Sequence, residues 1–184
     1  MVLPIYAYGH SVLKKVGEDI NTDYEGLSDL LDNMWETMYH ADGVGLAAPQ
    51  IGRAVRIFLV DTIQTMEEGE ENKGIKTAFI NARIVEESGE PWSYEEGCLS
   101  IPNIRGEVSR PESVTITWVD ENWKEQKETF KGINARVIQH EYDHIEGHLF
   151  TEKLKPLKKK LISRKLEAIK KGNVKIHYRM KFPK

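Results

Sequence analysis

The apolar residues of the chain follow a helical period near the N-terminus and strand-like patterns after it. Five of them recur at i, i+3, i+4, i+7 and i+11: Leu27, Leu30, Leu31, Met34 and Met38. This stripe predicts a helix over about 23–42 whose apolar face lies in the core. Runs rich in β-branched and aromatic residues then predict strands at 55–61, 77–85 and 114–120, with a shorter one at 128–130.

Two further helices are predicted in the C-terminal part. One spans about 134–146, and the other spans about 156–171, beginning at Pro156 and ending before Gly172. The expected apolar face of the second consists of Leu157, Leu161, Ile162, Leu166 and Ile169. The order of elements predicts one α+β domain over 1–184. In it, mostly antiparallel sheets surround the central helix, flanked by an N-terminal and a C-terminal helix.

Two segments are less regular. Residues 173–184 alternate at Val174, Ile176 and Tyr178 as a short strand would, but a chain end beyond the last helix often frays. Both interpretations stay open. The acidic stretch 62–74 separates two strand-like runs and has no apolar anchor, so we expect a solvated surface loop without a function.

Charge is distributed unevenly along a chain whose net charge is only −3. Residues 153–184 hold 13 Lys and Arg against one Glu, a net charge of +12, which leaves −15 on residues 1–152. The simplest interpretation is a docked helix with a solvated cationic face, and the alternative is a contact with RNA. No apolar run has the roughly 18 residues of a transmembrane helix, and no signal-peptide pattern is visible, so we expect a cytoplasmic protein without a membrane partner.

The sequence HEYDH over 140–144 has the pattern of a metal site. His140 and His144 lie one helical turn apart and therefore share a face, with Glu141 beside them. Catalytic sites of this kind usually have three protein ligands. The only cysteine, Cys98 in EGCLS, is the candidate for the third, and a small buried hydrophobe is its alternative role.

A glycine-rich segment, GVGLAAPQIG over 43–52, is the third candidate. Its glycines permit close approach of a ligand or a strand, and Gln50 could then point its amide inward. A helix stop at Gly43 followed by a tight turn explains the same residues without a function.

The motifs GVGLAAPQ, EGCLS and HEYDH, in this order, closely resemble the three signature motifs of the peptide deformylases, and the resemblance extends to about residue 170. It implies an α+β fold and a hydrolase that removes the formyl group from formylmethionyl nascent peptides, releasing formate. The implied metal ligands are Cys98, His140 and His144. The implied catalytic groups are the Glu141 carboxylate and two oxyanion donors, the Gln50 amide and the backbone N–H of Leu99.

The resemblance also implies a cofactor and partners. One divalent ion per chain is expected, ferrous iron by resemblance, although a Cys-His-His set also suits zinc, nickel or cobalt. The implied partners are N-formyl-methionyl nascent peptides and, through the basic helix over 156–171, the ribosome. No DNA partner is expected.

Eight residues are implied to bind substrate: Val44, Gly45, Tyr94, Gly97, Arg105, Ile133, Arg136 and Val137. Most of them would form an apolar slot for the methionine side chain, with the stem of Arg136 as one wall and His140 at the floor. Arg105 would lie near the substrate backbone. Tyr94 is bulkier than the aliphatic residue often found at its position in the family. Ordinary core or surface positions are the alternative for each residue.

Two other classes of protein account for parts of the sequence. A metallopeptidase would take its third ligand from Glu167 in the basic segment, but this leaves EGCLS and GVGLAAPQ unexplained. A non-catalytic ribosome-binding protein with a structural metal would need neither Glu141 nor Gln50. The longer pattern HExxHxxGxxH fails because Phe150 occupies the place of its third histidine, so Gly147 is interpreted as a helix stop.

Overall fold

The helices and strands of the protein form an α+β fold, described for residues 1–184 by a computed structural model. The helices are α1 Leu27–His40, α2 Gly132–Ile145 and α3 Pro156–Lys170. The strands are β1 Ile5–Tyr6, β2 Gly45–Ala47, β3 Ile57–Asp61, β4 Lys76–Cys98, β5 Ile101–Val119, β6 Glu125–Lys131 and β7 Met180–Lys181. The predicted fold class is confirmed.

Five strands form one antiparallel sheet in the order β2-β3-β4-β5-β6, while β1 pairs in parallel with β7 in a separate two-stranded ribbon. β4 and β5 form a long hairpin whose pairs run from Ile80 with Val119 to Cys98 with Ile101, interrupted by bulges. The two residues between these strands form a tight turn. Cys98 therefore lies at the tip of a hairpin that the sheet holds in place.

The predicted strands 77–85 and 114–120 are only the inner part of this hairpin, and the prediction of their outer bounds was wrong. Most of the outer part of β4 is exposed on both faces, so it has no period-two pattern. The buried positions of the outer part of β5 include Pro102, Gly106 and Arg110, which are not typical of a strand. Pairing along the hairpin stabilises both segments as strands.

The main sheet is covered by α1 on one face and by α2 on the other. Phe58 of β3 packs in a cluster with residues of α2, whereas its neighbour Leu59 packs with Met34 of α1. Successive strand residues point to opposite faces, which explains the division. Phe79 of β4 lies 4.7 Å, ring centre to ring centre, from Phe58 and 4.8 Å from Trp118. The apolar stripe predicted for α1 lies in the core.

The start of α1 and the buried face of α3 differ from the predictions. α1 begins at Leu27 rather than near residue 23, because Gly26 has a positive φ of 72°, outside the helical range. In α3, Ile162 and Ile169 are buried, but Leu157 and Leu161 are 70% and 67% exposed. Two of the five residues of the predicted apolar face, Leu157 and Leu161, are therefore not in the core, whereas Leu166 packs against it.

The acidic stretch 62–74 forms two short 3-10 turns, Ile63–Thr65 and Glu71–Lys73, with no buried residue in either. This agrees with the predicted surface loop. No helix of the protein combines the length and the apolar character needed to cross a membrane.

The tail, residues 173–184, is docked rather than frayed, but the strand predicted from Val174, Ile176 and Tyr178 is wrong because the strand of the tail is Met180–Lys181. Its strand β7 pairs with β1, and the N–H groups of Ile5 and Ala7 donate to the carbonyls of Arg179 and Lys181, both at 2.9 Å. Phe182 packs against a third apolar cluster near α3. The tail therefore returns from α3 to the N-terminal strand.

Candidate metal centre and substrate cleft

Helix α2 and the β4–β5 hairpin bring three metal-binding side chains together. Cys98 Sγ lies 3.3 Å from His144 Nε2, and the donor atoms of Cys98, His140 and His144 all lie within 4.8 Å of one another. Around a tetrahedral ion, a sulfur and a nitrogen donor are about 3.5 Å apart. The predicted trio is thus assembled at a spacing that fits one divalent ion.

A buried carboxylate behind the trio orients His140. Glu96 Oε1 lies 2.8 Å from His140 Nδ1. Burial opposes ionisation of Glu96, but hydrogen bonds from His140 and Arg110 outweigh it and hold its pKa well below the usual range. An ionised carboxylate only accepts hydrogen bonds, so Nδ1 carries a proton and, in the neutral imidazole, Nε2 keeps the free lone pair. This is the tautomer that binds a metal through Nε2.

Two arginines balance the charge of Glu96. Arg110 donates to both carboxylate oxygens, from Nε at 2.7 Å and from Nη2 at 3.0 Å, and Arg136 Nη1 donates to Oε2 at 2.8 Å. Arg110 Nη1 also donates to Asp143 of α2 at 2.8 Å. The network ties the hairpin to α2 on both sides of His140.

The second histidine, His144, is kept neutral by its surroundings. Burial, together with the positive charge near His140, lowers the pKa of His144 well below its usual value. At His140, burial opposes protonation, but interactions with Cys98 and Glu96 raise the pKa. A proton and a metal ion therefore compete for the same place between the thiolate and His140.

Glu141 lies in the cleft beside the donor trio with a free oxygen. Its Oε2 is buried without a hydrogen-bond partner, and burial raises the pKa of Glu141 to about 7. A Cβ on Gly45 of β2 would lie only 2.5 Å from Glu141 Oε1. Glycine at this position therefore lets the carboxylate approach the strand, which explains one glycine of the first motif.

Gln50 presents its amide N–H groups to the metal donors. It is buried in a 3-10 turn after β2, where its Oε1 accepts the Ala47 N–H at 2.9 Å. Its Nε2 donates to Ser100 Oγ at 3.2 Å and lies 3.5 Å from Cys98 Sγ. The backbone contact fixes which end of the amide points inward, as the sequence predicts.

Cys98, His140, Glu141 and Gln50 line one cleft of about 820 Å³. Its walls include all eight residues predicted to bind substrate: Val44, Gly45, Tyr94, Gly97, Arg105, Ile133, Arg136 and Val137. The Arg136 guanidinium is held by Glu96 and by the carbonyls of Val108 and Trp92, so only its stem is free to contact a ligand. Arg105 is exposed at the rim and donates to Glu95.

Sequence reasoning did not identify three parts of the site. Glu96 has a detectable signal, because it lies two residues before Cys98 and so shares its strand face. Arg110 has no detectable signal in the sequence, because only the pairing of β4 with β5 brings it close to Glu96. The tail residues 175–178 also line the cleft, although they lie far from the motifs in sequence.

The residues invoked by the alternative classes lie elsewhere. Glu167 is exposed on α3 and contributes to a shallow surface depression, outside the group of metal donors. Gly147 has a φ of 78° directly after α2, which confirms the predicted helix stop. His148 is exposed and pairs with Glu152 at 3.3 Å.

A Cys-His-His donor set beside a buried carboxylate, at the base of an open cleft, defines a metal-dependent hydrolase. A family model described as polypeptide deformylase matches residues 2–160. The chain belongs to the peptide deformylase family, whose members remove N-formyl groups from nascent peptides and depend on a metal.

Relatives and solved structures agree with this assignment. A peptide deformylase of Christiangramia forsetii is 52% identical over 190 residues, covering 100% of this chain and 97% of its own. One of Flavobacterium johnsoniae is 52% identical over 189 residues, covering 99% and 96%. The structure of a peptide deformylase from Legionella pneumophila has a TM-score of 0.80 at 36% identity, covering 93% of this chain and 96% of that one.

Proposed function

We propose that this chain deformylates formylmethionyl peptides with Glu141 as its proton-transfer group. The observation that carries this proposal is the unpartnered, buried Glu141 Oε2 beside the Cys98, His140 and His144 donors. A divalent metal held by these donors would polarise the formyl carbonyl and supply hydroxide near neutral pH. Ferrous iron is the proposed ion, and zinc, nickel or cobalt would fit the same donors.

Glu141 serves twice in the proposed reaction. As a carboxylate it takes a proton from the attacking water, and as a carboxylic acid it returns that proton to the leaving amine. A pKa near 7 suits both directions, because neither form of Glu141 is then strongly disfavoured at neutral pH. Formate and a free N-terminal amine are the products.

Two donors are proposed to stabilise the developing oxyanion. Gln50 Nε2 is already directed towards Cys98, and the backbone N–H of Leu99 belongs to the hairpin turn next to that ligand. Both are held before substrate arrives, so little reorganisation accompanies the transition state. Glu96 supports the metal site, rather than these donors, by fixing the orientation of His140.

The slot for the first side chain is proposed to be the apolar part of the cleft. Val44, Ile133 and Val137 are partly or fully buried there, and the exposed ring of Tyr94 lies at the rim. An unbranched methionine side chain fits such an irregular apolar space. Gly45 and Gly97 would border the substrate backbone.

We also propose that the enzyme works in the cytoplasm beside the ribosome. The exposed cationic face of α3, together with exposed Leu157 and Leu161, supports this contact. If the contact is electrostatic, ribosome affinity should fall steeply as salt rises and should weaken on truncation after Leu154. A ribosome affinity that changes neither with salt nor on truncation would contradict this proposal.

The test of function is formate release from a formyl-Met peptide by protein purified without oxygen, beside the acetylated peptide. Only the formylated peptide should react. Gln50→Leu should slow turnover by a factor on the order of 10² and keep the metal. Cys98→Ser should lose metal while Glu167→Gln keeps it. The reverse metal contents would favour a peptidase, and no release by fully loaded protein would overturn the proposal.

A further inference from the structure

The tail passes along the cleft before it reaches β7. Lys175, Ile176, His177 and Tyr178 are all lining residues of the cleft that holds Cys98 and Glu141. We propose that the tail is a working wall of the substrate cleft and that Tyr178 is a positioning residue for Leu99. This inference rests on the proposed role of the Leu99 N–H.

The tail is fixed to the rim of the cleft at three places. Asn103 Nδ2 of β5 donates to the carbonyl of Lys175 at 3.2 Å. His177 Nε2 lies 3.0 Å from Asp42 Oδ2, in the loop that leads into the first motif. The Tyr178 hydroxyl donates to the carbonyl of Leu99 at 2.7 Å. The tail thus connects the loop after α1 to the turn of the hairpin and to β5.

Tyr178 completes the support of the turn that carries Leu99. On the inner side, Gln50 donates to Ser100 Oγ, and the Tyr8 N–H donates to the Ser100 carbonyl at 2.9 Å. On the outer side, Tyr178 holds the carbonyl of Leu99 itself. Catalytic donors must be held to within about 0.5 Å, so loss of one support at this turn should reduce turnover more than binding.

The far end of the tail is anchored independently of the cleft. β7 pairs with β1, and Phe182 lies against Gly172, which has a φ of 78°. The anchor keeps residues 175–178 in place without help from a substrate. The tail also lies beyond residue 160, where the match to the family model ends.

The rim residues that the tail contacts are distinct from those of the methionine slot. Asp42, Leu99 and Asn103 border the cleft outside the slot, so a substrate residue that follows methionine would meet the tail there. His177 is the tail side chain that spans this part of the rim, through its contact with Asp42. It is the proposed contact for the substrate chain beyond methionine.

The first experiment compares Tyr178→Phe with Tyr24→Phe. Tyr24 is the control because its half-buried ring packs beside α1, away from the cleft. Tyr178→Phe removes only the hydroxyl. It should lower kcat about fivefold to tenfold, with KM changed by less than about twofold and metal content unchanged. Tyr24→Phe should leave kcat as in the wild type. A wild-type kcat in Tyr178→Phe would overturn the positioning role.

The second experiment compares His177→Ala with His148→Ala. Both side chains are 61% exposed and both pair with a carboxylate, but only His177 lines the cleft. For His177→Ala, kcat/KM should fall at least about threefold more for a formyl-Met tripeptide than for a formyl-Met dipeptide. His148→Ala should affect the two equally. If His177→Ala, like His148→Ala, affects the two peptides equally, the proposed role of the tail as a wall of the cleft is wrong.

The two proposals fail in different ways. If the wild type releases no formate when loaded with metal, the proposed function fails. If the wild type is active and Gln50→Leu is slow, but the tail variants behave like the wild type, only the inference about the tail fails.

Discussion

Glu96→Gln tests whether one buried carboxylate stabilises both the fold and the metal centre. The carboxylate accepts four hydrogen bonds, from Arg110 at 2.7 and 3.0 Å, from Arg136 at 2.8 Å and from His140 at 2.8 Å. Glutamine keeps the volume but has one acceptor oxygen, and its NH₂ group would face donors. Two guanidinium groups would then lie buried without a counter-charge from this position.

The expected destabilisation follows from burial. Removing one partner of a buried, hydrogen-bonded ion pair costs about 3–5 kcal/mol. The total free energy of unfolding of a domain is about 5–15 kcal/mol, so this loss is large. At about 2–4 °C per kcal/mol, Tm should fall by roughly 6–20 °C. Without the Glu96 carboxylate to orient His140, metal affinity should fall about 10- to 100-fold.

The neighbouring residue provides a matched control. The Glu95 side chain is 63% exposed and its contact with Arg105 is 3.3 Å long, whereas the Glu96 side chain is 3% exposed. An exposed pair of this kind contributes about 0–1 kcal/mol. Glu95→Gln should therefore leave Tm and metal affinity nearly unchanged.

Stability should also lose part of its pH dependence. The pKa of Glu96 is lower in the folded chain than in the unfolded chain, because the hydrogen bonds from His140 and Arg110 outweigh burial. As pH falls below about 4.3, the unfolded chain takes up this proton first, so folding loses stability. Glu96→Gln removes this contribution.

The assay is urea unfolding of the wild type, Glu96→Gln and Glu95→Gln between about pH 3 and pH 7, a range that extends below the carboxyl pKa of the unfolded chain, with a metal titration of each at neutral pH. The reasoning is refuted if Glu96→Gln unfolds at the same urea concentration as Glu95→Gln. A metal affinity equal to that of the wild type would refute the orienting role alone.

Four further outcomes are expected. Glu141→Gln should keep its metal and lose a factor of about 10² to 10⁴ in kcat. Because burial raises the pKa of Glu141 to about 7 and the base must be ionised, kcat/KM of the wild type should rise with pH up to that value; a flat profile would contradict this. Gly45→Ala should lower kcat by a factor on the order of 10², since its Cβ would lie 2.5 Å from Glu141 Oε1, and wild-type turnover would show that Glu141 can move freely. Phe79→Ala should lower the free energy of unfolding by about 3–5 kcal/mol, against at most about 0.5 for exposed Val85→Ala, as measured by urea unfolding.

Local patterns predicted the parts of the fold whose burial is directly visible in the sequence. The stripe of α1 and the strand β3 are examples, because their side chains alternate between core and solvent or lie wholly in the core. The outer part of the β4–β5 hairpin was not predicted, since most of β4 there is exposed and the buried positions of β5 include residues that are not typical of a strand. The exposure of Leu157 was not predicted either, because a helical period does not show how much of a face the core covers.

The residues of the candidate site also differ in whether the sequence alone identifies them. Residues within motifs, such as His140 and Gln50, were identifiable because their spacing relates directly to chemistry. Arg110 and Tyr178 were not identifiable, since they reach the site through long-range pairing. The Glu96 network also shows that a motif residue can orient a candidate metal ligand without being a member of the donor set.

The ribbon of β1 and β7 has a consequence for folding. It pairs Ile5 with Met180, residues separated by almost the whole chain, whereas Cys98 and His144 are much closer in sequence. Closing so long a loop is slow and costs entropy, so the ribbon should form after the main sheet, and its two short strands should be among the first to open. The order of folding thus separates two events. The metal donors can come together while β1 and β7 are still unpaired. The part of the cleft wall formed by the tail is in place only when these two strands pair.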